Sequence, residues 1–203
     1  MANESTNVDQ IFELHISILK DILLLKDINS ILKRFSSEIN RLNYLDIAKT
    51  NNLLTFDEHN HLLGAYPVSP IKSNFKVEIE SIGQGYTMCA IDALGIAYTF
   101  NKNVHIQATD LSTGELIEID VDPVKDSVLS NTEFFVAYKD PSKVSVIATQ
   151  QCPVIQFYSD RNSAPQNDLT IKLLSFQEAC EHAKKIFSQE SIKKSIKSGF
   201  NPF

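Results

Sequence analysis

The chain is short of cysteine, of positive charge and of long apolar runs, and each shortage excludes a class of protein. Its three cysteines, Cys89, Cys152 and Cys180, do not make a disulfide framework in 203 residues. An odd count points instead to free thiols in a reducing compartment, either buried or reactive. None belongs to a Cys-x-x-Cys pair, so a structural zinc site is not expected. Glu58, His59 and His61, with no further ligands nearby, read as solvated turn residues. There are 19 basic residues against 25 acidic ones, a net charge of −6, where a general nucleic-acid binder would want a basic face. No apolar run approaches the length that spans a bilayer. The opening MANESTNVDQ lacks the basic-then-apolar layout of a secretory signal. Neither nucleic acid nor membrane is expected as a partner, and a soluble, cytoplasmic protein is. Internal repeats and low-complexity segments are absent.

What is present is an ordinary globular composition, 43% hydrophobic and 22% charged, in a chain long enough for one domain or two small ones. Beyond a polar lead over residues 1–7, expected to be disordered, Ile11, Leu14, Ile18 and Ile22 recur at helical spacing. A second helix is expected from Asp27 or Asn29 through Ile39 and Leu42 towards Ala48. LLTFDEHNHLLGAYPVSP then reads as two short strands around a polar turn at Asp57–His61. Helices followed by a ribbon give residues 1–70 a winged-helix-like outline. Pro67 and Pro70 mark a boundary, and residues 71–203 form the second domain. There the strands FKVEIESI, VHIQATD, ELIEIDV, EFFVAYK and KVSVIAT are expected, with TQQCPVIQFYSD as a further strand that opens on Cys152. The turns between them include LSTG, DPVKDSVLSN and KDPSK. A closing helix over Leu174–Phe187 carries Cys180, read as core, and a basic tail after Ser188 is expected to fray. The expected fold is α+β, a mixed and largely antiparallel sheet domain with covering helices behind the N-terminal helical segment.

The stretch from Gly83 to Phe100, GQGYTMCAIDALGIAYTF, turns from a polar run into an apolar helix. Cys89 and Asp92 lie three residues apart and so share one helix face. With Thr87 as N-cap, Cys89 falls in the first turn, where free N–H groups and the helix dipole favour a thiolate. A soft nucleophile then stands beside a proton donor. The alternative is a small buried hydrophobe, the usual state of a free cysteine.

GYTMCAIDALGIAYTF, followed some sixty residues later by TQQCPVIQFYSD, resembles the organomercurial (alkylmercury) lyase family. GAYPVS ahead of the first cysteine, the Thr113–Gly114 turn and SFQEAC near the end support the resemblance, which covers roughly residues 62–187. It implies a lyase of bacterial mercury detoxification in which Cys89 and Cys152 bind mercury and Asp92 is the catalytic acid. The implied substrate is an organomercurial, split into a hydrocarbon and Hg(II) with no organic cofactor. Small cytosolic thiols, or the dithiol of a mercuric reductase, would take the product. Thiolates suit a soft cation such as mercury(II), and a buried carboxyl holds its proton at neutral pH. The chain departs from the pattern at Met88, where the best-known members have a tryptophan, and it has no tryptophan at all. Asp110 is the nearest position to an additional cysteine of the family, and Pro153 follows Cys152. Tyr86 resembles a pocket tyrosine or is a structural hydroxyl; Met88 fills core space or touches the pocket. A homologue that sequesters mercury or copper without cleavage, or one recruited to another thiol-dependent reaction, would keep the same thiols.

Overall fold

Four helices open the chain in the computed structural model, which describes residues 2–140, 147–165 and 168–198. Helix α1 (Ala2–Leu23) buries Ile11, Ile18, Leu19 and Ile22. The lead expected to be disordered is helical from Ala2, because lengthening a helix that an apolar face already anchors costs far less than nucleating one. The long second helix is instead three short ones, α2 (Ile28–Arg34), α3 (Ser36–Leu42) and α4 (Tyr44–Thr50). Asp27 caps α2 by accepting the Ser30 N–H at 2.8 Å. Asn43, at φ 49°, separates α3 from α4, a conformation that asparagine tolerates better than most residues. β1 (Leu54–Phe56) and β2 (Leu62–Ala65) then form the expected antiparallel ribbon. In its turn the Asp57 carboxylate accepts the N–H groups of His59 and His61, and both imidazoles are exposed.

The rest of the chain builds two antiparallel sheets. Five strands run in the order β4 (Gly83–Tyr86), β3 (Lys76–Ile79), β5 (Val104–Thr109), β6 (Leu116–Asp122), β7 (Ser127–Ser130). Three more run β10 (Ile171–Ser175), β8 (Phe135–Lys139), β9 (Phe157–Tyr158). Every neighbouring pair is antiparallel. Period-two burial of Val104, Ile106 and Ala108 on β5, and of Ile117, Ile119 and Val121 on β6, fixes the register.

Three of these strands carry no apolar alternation that the sequence reading registered. β4 holds two glycines, and Gly85 is required there: a side chain would collide with the backbone and side chain of Leu23 at the end of α1. β7 lies inside the segment read as a turn; Asp122 accepts the N–H groups of Val124 and Lys125, and Asp126 sits at φ 53°, so the chain reverses in five residues. β10 ends at Ser175, two residues into the span expected as the closing helix, and there Ser175 and Glu178 form a capping box that starts α6 (Phe176–Phe187) only after the strand has ended. The expected strand KVSVIAT falls mostly outside the described residues, and from Ile147 its end is π-helical. Of the tail expected to fray, the described part is helical: α7 (Gln189–Ser198) buries Ile192, Ser195 and Ile196, and Lys193 pairs with Asp9 of α1 at 2.7 Å.

At the centre is α5 (Ala90–Phe100), buried along its whole length, as an all-round apolar helix must be. The five-stranded sheet covers one side and α6 the other. Gly95 permits this second contact, since any Cβ there would meet the Phe187 ring. Thr99 Oγ1 donates to the Phe187 carbonyl at 3.1 Å and fixes the end of α6 beside α5. The core runs unbroken from Ile11 on α1 to Ile196 on α7. No helix of the described residues is long and apolar enough to cross a membrane.

Candidate active site

Cys89 is itself the N-cap of α5, with extended backbone (φ −154°, ψ 178°), rather than a residue of the first turn. Thr87, expected as the cap, turns its hydroxyl to the Cys89 carbonyl at 3.3 Å, which fixes the approach to the helix instead of its first N–H groups. Asp92 follows in the first turn and is buried.

Cys152 arrives from the other side of the core. TQQCPVIQFYSD is not a strand opening on the cysteine. It is a π-helix (Ile147–Gln151) running into one turn of 3₁₀-helix (Cys152–Val154), and only Phe157 and Tyr158 pair with β8. Pro153 explains the difference, because it has no N–H to give to a sheet and favours a helical first turn. Two bonds lock the turn in place: the Ala90 N–H donates to the Ile155 carbonyl at 3.1 Å, and Gln151 Nε2 donates to the Lys139 carbonyl at 2.6 Å. The start of α5 and the Cys152 turn are thereby held together.

As a result Cys89, Asp92 and Cys152 present two sulfurs and a carboxylate oxygen within 4.8 Å of one another. All three are shut off from solvent, at 2%, 3% and 3% exposure. Between them is a cavity of about 20 Å³, walled by Tyr66, Tyr138, Gln151, Ile155, Ile186 and Phe187. That is space for one water-sized group.

Burial does not treat the three groups alike. It pushes the Cys89 thiol well above its ordinary range, with the neighbouring Cys152 and Asp92 adding to the rise. Burial likewise raises Asp92 well above a usual carboxylate, and the neighbouring Cys152 raises it further, both favouring the protonated form. Its Oδ2 has no hydrogen-bond partner among the described residues. Cys152 goes the other way: the Cys89 S–H donating to it outweighs burial, and the Tyr66 hydroxyl, 3.5 Å from its Sγ, adds a second donor. Of the two thiols, Cys152 is therefore the one that gives up its proton more readily. The dipole argument for Cys89 loses because one helix end cannot offset complete burial beside a second anionic sulfur.

Tyr66 was missed as a member of the site, although it stands in the GAYPVS motif. No spacing rule relates a hydroxyl to a sulfur 86 residues away. Tyr86, the tyrosine singled out in the sequence, lies half-buried on β4 opposite Lys76 and does not line the cavity. Met88 packs over Gly64 in the core, outside the cavity wall. Asp110 is structural. Burial alone would raise its carboxyl, but the N–H groups of Ser159, Ser112 and Thr113 and the Ser159 hydroxyl together hold it below the usual range. Cys180 packs against the core on α6, and burial pushes its thiol up to about 12.

The sequence model of the alkylmercury lyase family (MerB) matches residues 68–188. Alkylmercury lyases of Bacillus cereus and Clostridium butyricum are each 28% identical to the chain over 109 residues, covering 53% of this chain and 49% of theirs. The chain thus spans about half the length of the curated relatives it matches. A solved structure described as the mercury-bound form of MerB2 superposes with a TM-score of 0.62 at 16% identity, over 94% of this chain and 99% of that one. The likeness establishes an α+β fold with antiparallel sheets shared with that protein.

Proposed function

The chain belongs to the alkylmercury lyase family, and from that premise we propose that it cleaves carbon–mercury bonds by protonolysis, giving a hydrocarbon and Hg(II). The observation that carries the reading is the buried cluster of two thiols and one carboxyl whose ligand atoms lie within 4.8 Å of one another. In the first step the Cys152 thiolate attacks R–Hg–X, forms the sulfur–mercury bond and expels X as an anion, normally a small thiolate. Cys89 then adds to the metal and weakens the carbon–mercury bond. The Asp92 proton passes to the carbon, which takes the bonding pair and leaves as R–H. The proton of Cys89 replaces it on Asp92, and Hg(II) remains on both sulfurs. The carboxyl has an oxygen for each task, one towards Cys89 and the unpartnered Oδ2 for the carbon. Every proton and ligand comes from the chain, so the reaction draws on no organic cofactor.

Small thiols, or a dithiol of a mercuric reductase, would remove the product by ligand exchange. A reducing cytoplasm suits three free cysteines. We divide the chain at residue 70, in keeping with a family match that begins at residue 68, and read the part before it as a winged-helix-like scaffold that binds no nucleic acid. Its helices followed by the β1–β2 ribbon support that outline, and the net charge of −6 speaks against DNA.

Benzene release from phenylmercury in excess thiol tests the reading. Wild type should turn over, and Asp92→Asn should lose roughly 10²–10⁴-fold. Tight retention of inorganic Hg²⁺ with no hydrocarbon would overturn it in favour of a sequestering protein.

A further inference from the structure

The cavity as it stands holds one water-sized group, whereas the smallest organomercurial brings a large metal atom and a carbon. Some part of the wall must move for substrate to enter. Ile155, Ile186, Phe187, Gln151 and Tyr66 are all buried, and the last two are also tied by hydrogen bonds. Tyr138 on β8, whose hydroxyl also meets the Gln151 side chain, differs in exposure. It is the lining residue that is half-buried instead of buried.

Tyr138 also lines a second hollow of about 310 Å³, open to solvent between β10 and α6. Lys172 and Leu174 of β10, with Glu178, Glu181, His182 and Lys185 of α6, complete it. The Tyr138 ring meets His182 edge to face, with centroids 4.5 Å apart, and His182 Nε2 is buried without a hydrogen-bond partner among the described residues. Tyr138 is therefore the lining residue that the closed cavity and the surface basin share. The basin carries two ammonium groups and two carboxylates, the charge pattern that complements an amino-acid thiol.

Resting on the lyase reading of the buried cluster, we propose that this basin is the port of the site. It receives the organomercurial as its adduct with a small carboxylate-bearing thiol, and the Tyr138 ring swings aside to pass the mercury inward. Lys172 and Lys185 hold the thiol's carboxylate outside while the metal is handed to Cys152.

Access can be measured without turnover, by mass spectrometry of Cys152 labelling with maleimides of increasing size. Tyr138→Ala should speed labelling about tenfold or more, most for the bulkiest reagent, whereas Tyr138→Trp should slow it and Tyr138→Phe should match wild type. Melting curves of each variant check folding. Unchanged labelling in both Tyr138→Ala and Tyr138→Trp, at unaltered melting temperature, would overturn the port. For the basin, the Kd of methylmercury–cysteine is compared with that of methylmercury–mercaptoethanol. The double variant Lys172→Ala, Lys185→Ala should weaken the first about tenfold and leave the second alone; equal weakening would overturn the carboxylate contact. Failure of carbon–mercury cleavage in wild type alters neither readout, so the two readings fail separately.

Discussion

Cys89 and Cys152 are the same residue at nearly the same burial, 2% and 3% exposed, yet they hold their protons in opposite ways. Cys89 begins a regular helix, the place where a thiolate is usually sought. Cys152 sits on an irregular turn after a π-helix, and its thiol is the one shifted towards ionisation. The difference lies in the donors. Cys152 receives one hydrogen bond from Cys89 and one from Tyr66, while Cys89 faces a carboxyl and an anionic sulfur. In a cavity closed to solvent, donors at hydrogen-bond distance decide which of two thiols ionises more readily, and the chain assigns them to the less regular segment.

The largest effect expected from this asymmetry is in the two single-cysteine variants. Each should lose on the order of 10³-fold or more in hydrocarbon release, but they should stall at different points. Cys89→Ser is expected to trap the organomercurial as a covalent adduct on Cys152, visible as added mass on the intact protein. Cys152→Ser should trap far less at neutral pH, because the remaining thiol keeps its proton. The reverse pattern would break the assignment.

A smaller change should follow from Tyr66→Phe. A hydrogen bond to a charged group contributes about 1.5–3 kcal/mol, so the Cys152 thiolate should form at higher pH. The midpoint of thiolate absorbance should move up, and capture at neutral pH should slow roughly tenfold to a hundredfold, recovering as the pH is raised. Tyr86→Phe, outside the cavity, serves as the control and should leave the midpoint in place.

The least effect is expected in stability. The Asp92 carboxyl is raised by burial, so the folded state binds a proton that the unfolded chain releases above its own pKa of about 4. The stability this provides is full below that value and is lost as pH rises towards the folded pKa. Asp92→Asn cannot ionise and should flatten this slope. Its melting temperature should gain on that of wild type between pH 4 and neutrality, and the gap should close again in acid. Parallel melting curves across that range would show that Asp92 is not held protonated.

Much of the fold was legible because its signals are local. The apolar face of α1, the alternation of β5 and β6, the all-apolar α5 and the polar turn at Asp57–His61 each declare themselves within a dozen residues. The elements that escaped owe their form to distant neighbours. β4 is a strand because Leu23 leaves room for nothing larger than Gly85, and α7 is ordered because α1 covers its apolar side. At the site, Cys89, Cys152 and Asp92 could be named from their motif, but Tyr66 could not.

By itself, then, the sequence determined the chemistry on hand: two thiols and an acid in an apolar setting, without the charge for nucleic acid or the length of apolar run for a membrane helix. Tertiary structure alone decided that a turn broken by Pro153 would be tied by Ile155 to the head of α5, which sets the second sulfur beside the first. It also decided which of the two gives up its proton more readily. Ionisation in a dry cavity depends on donors a few ångströms away, and those come from segments that the order of residues along the chain keeps far apart.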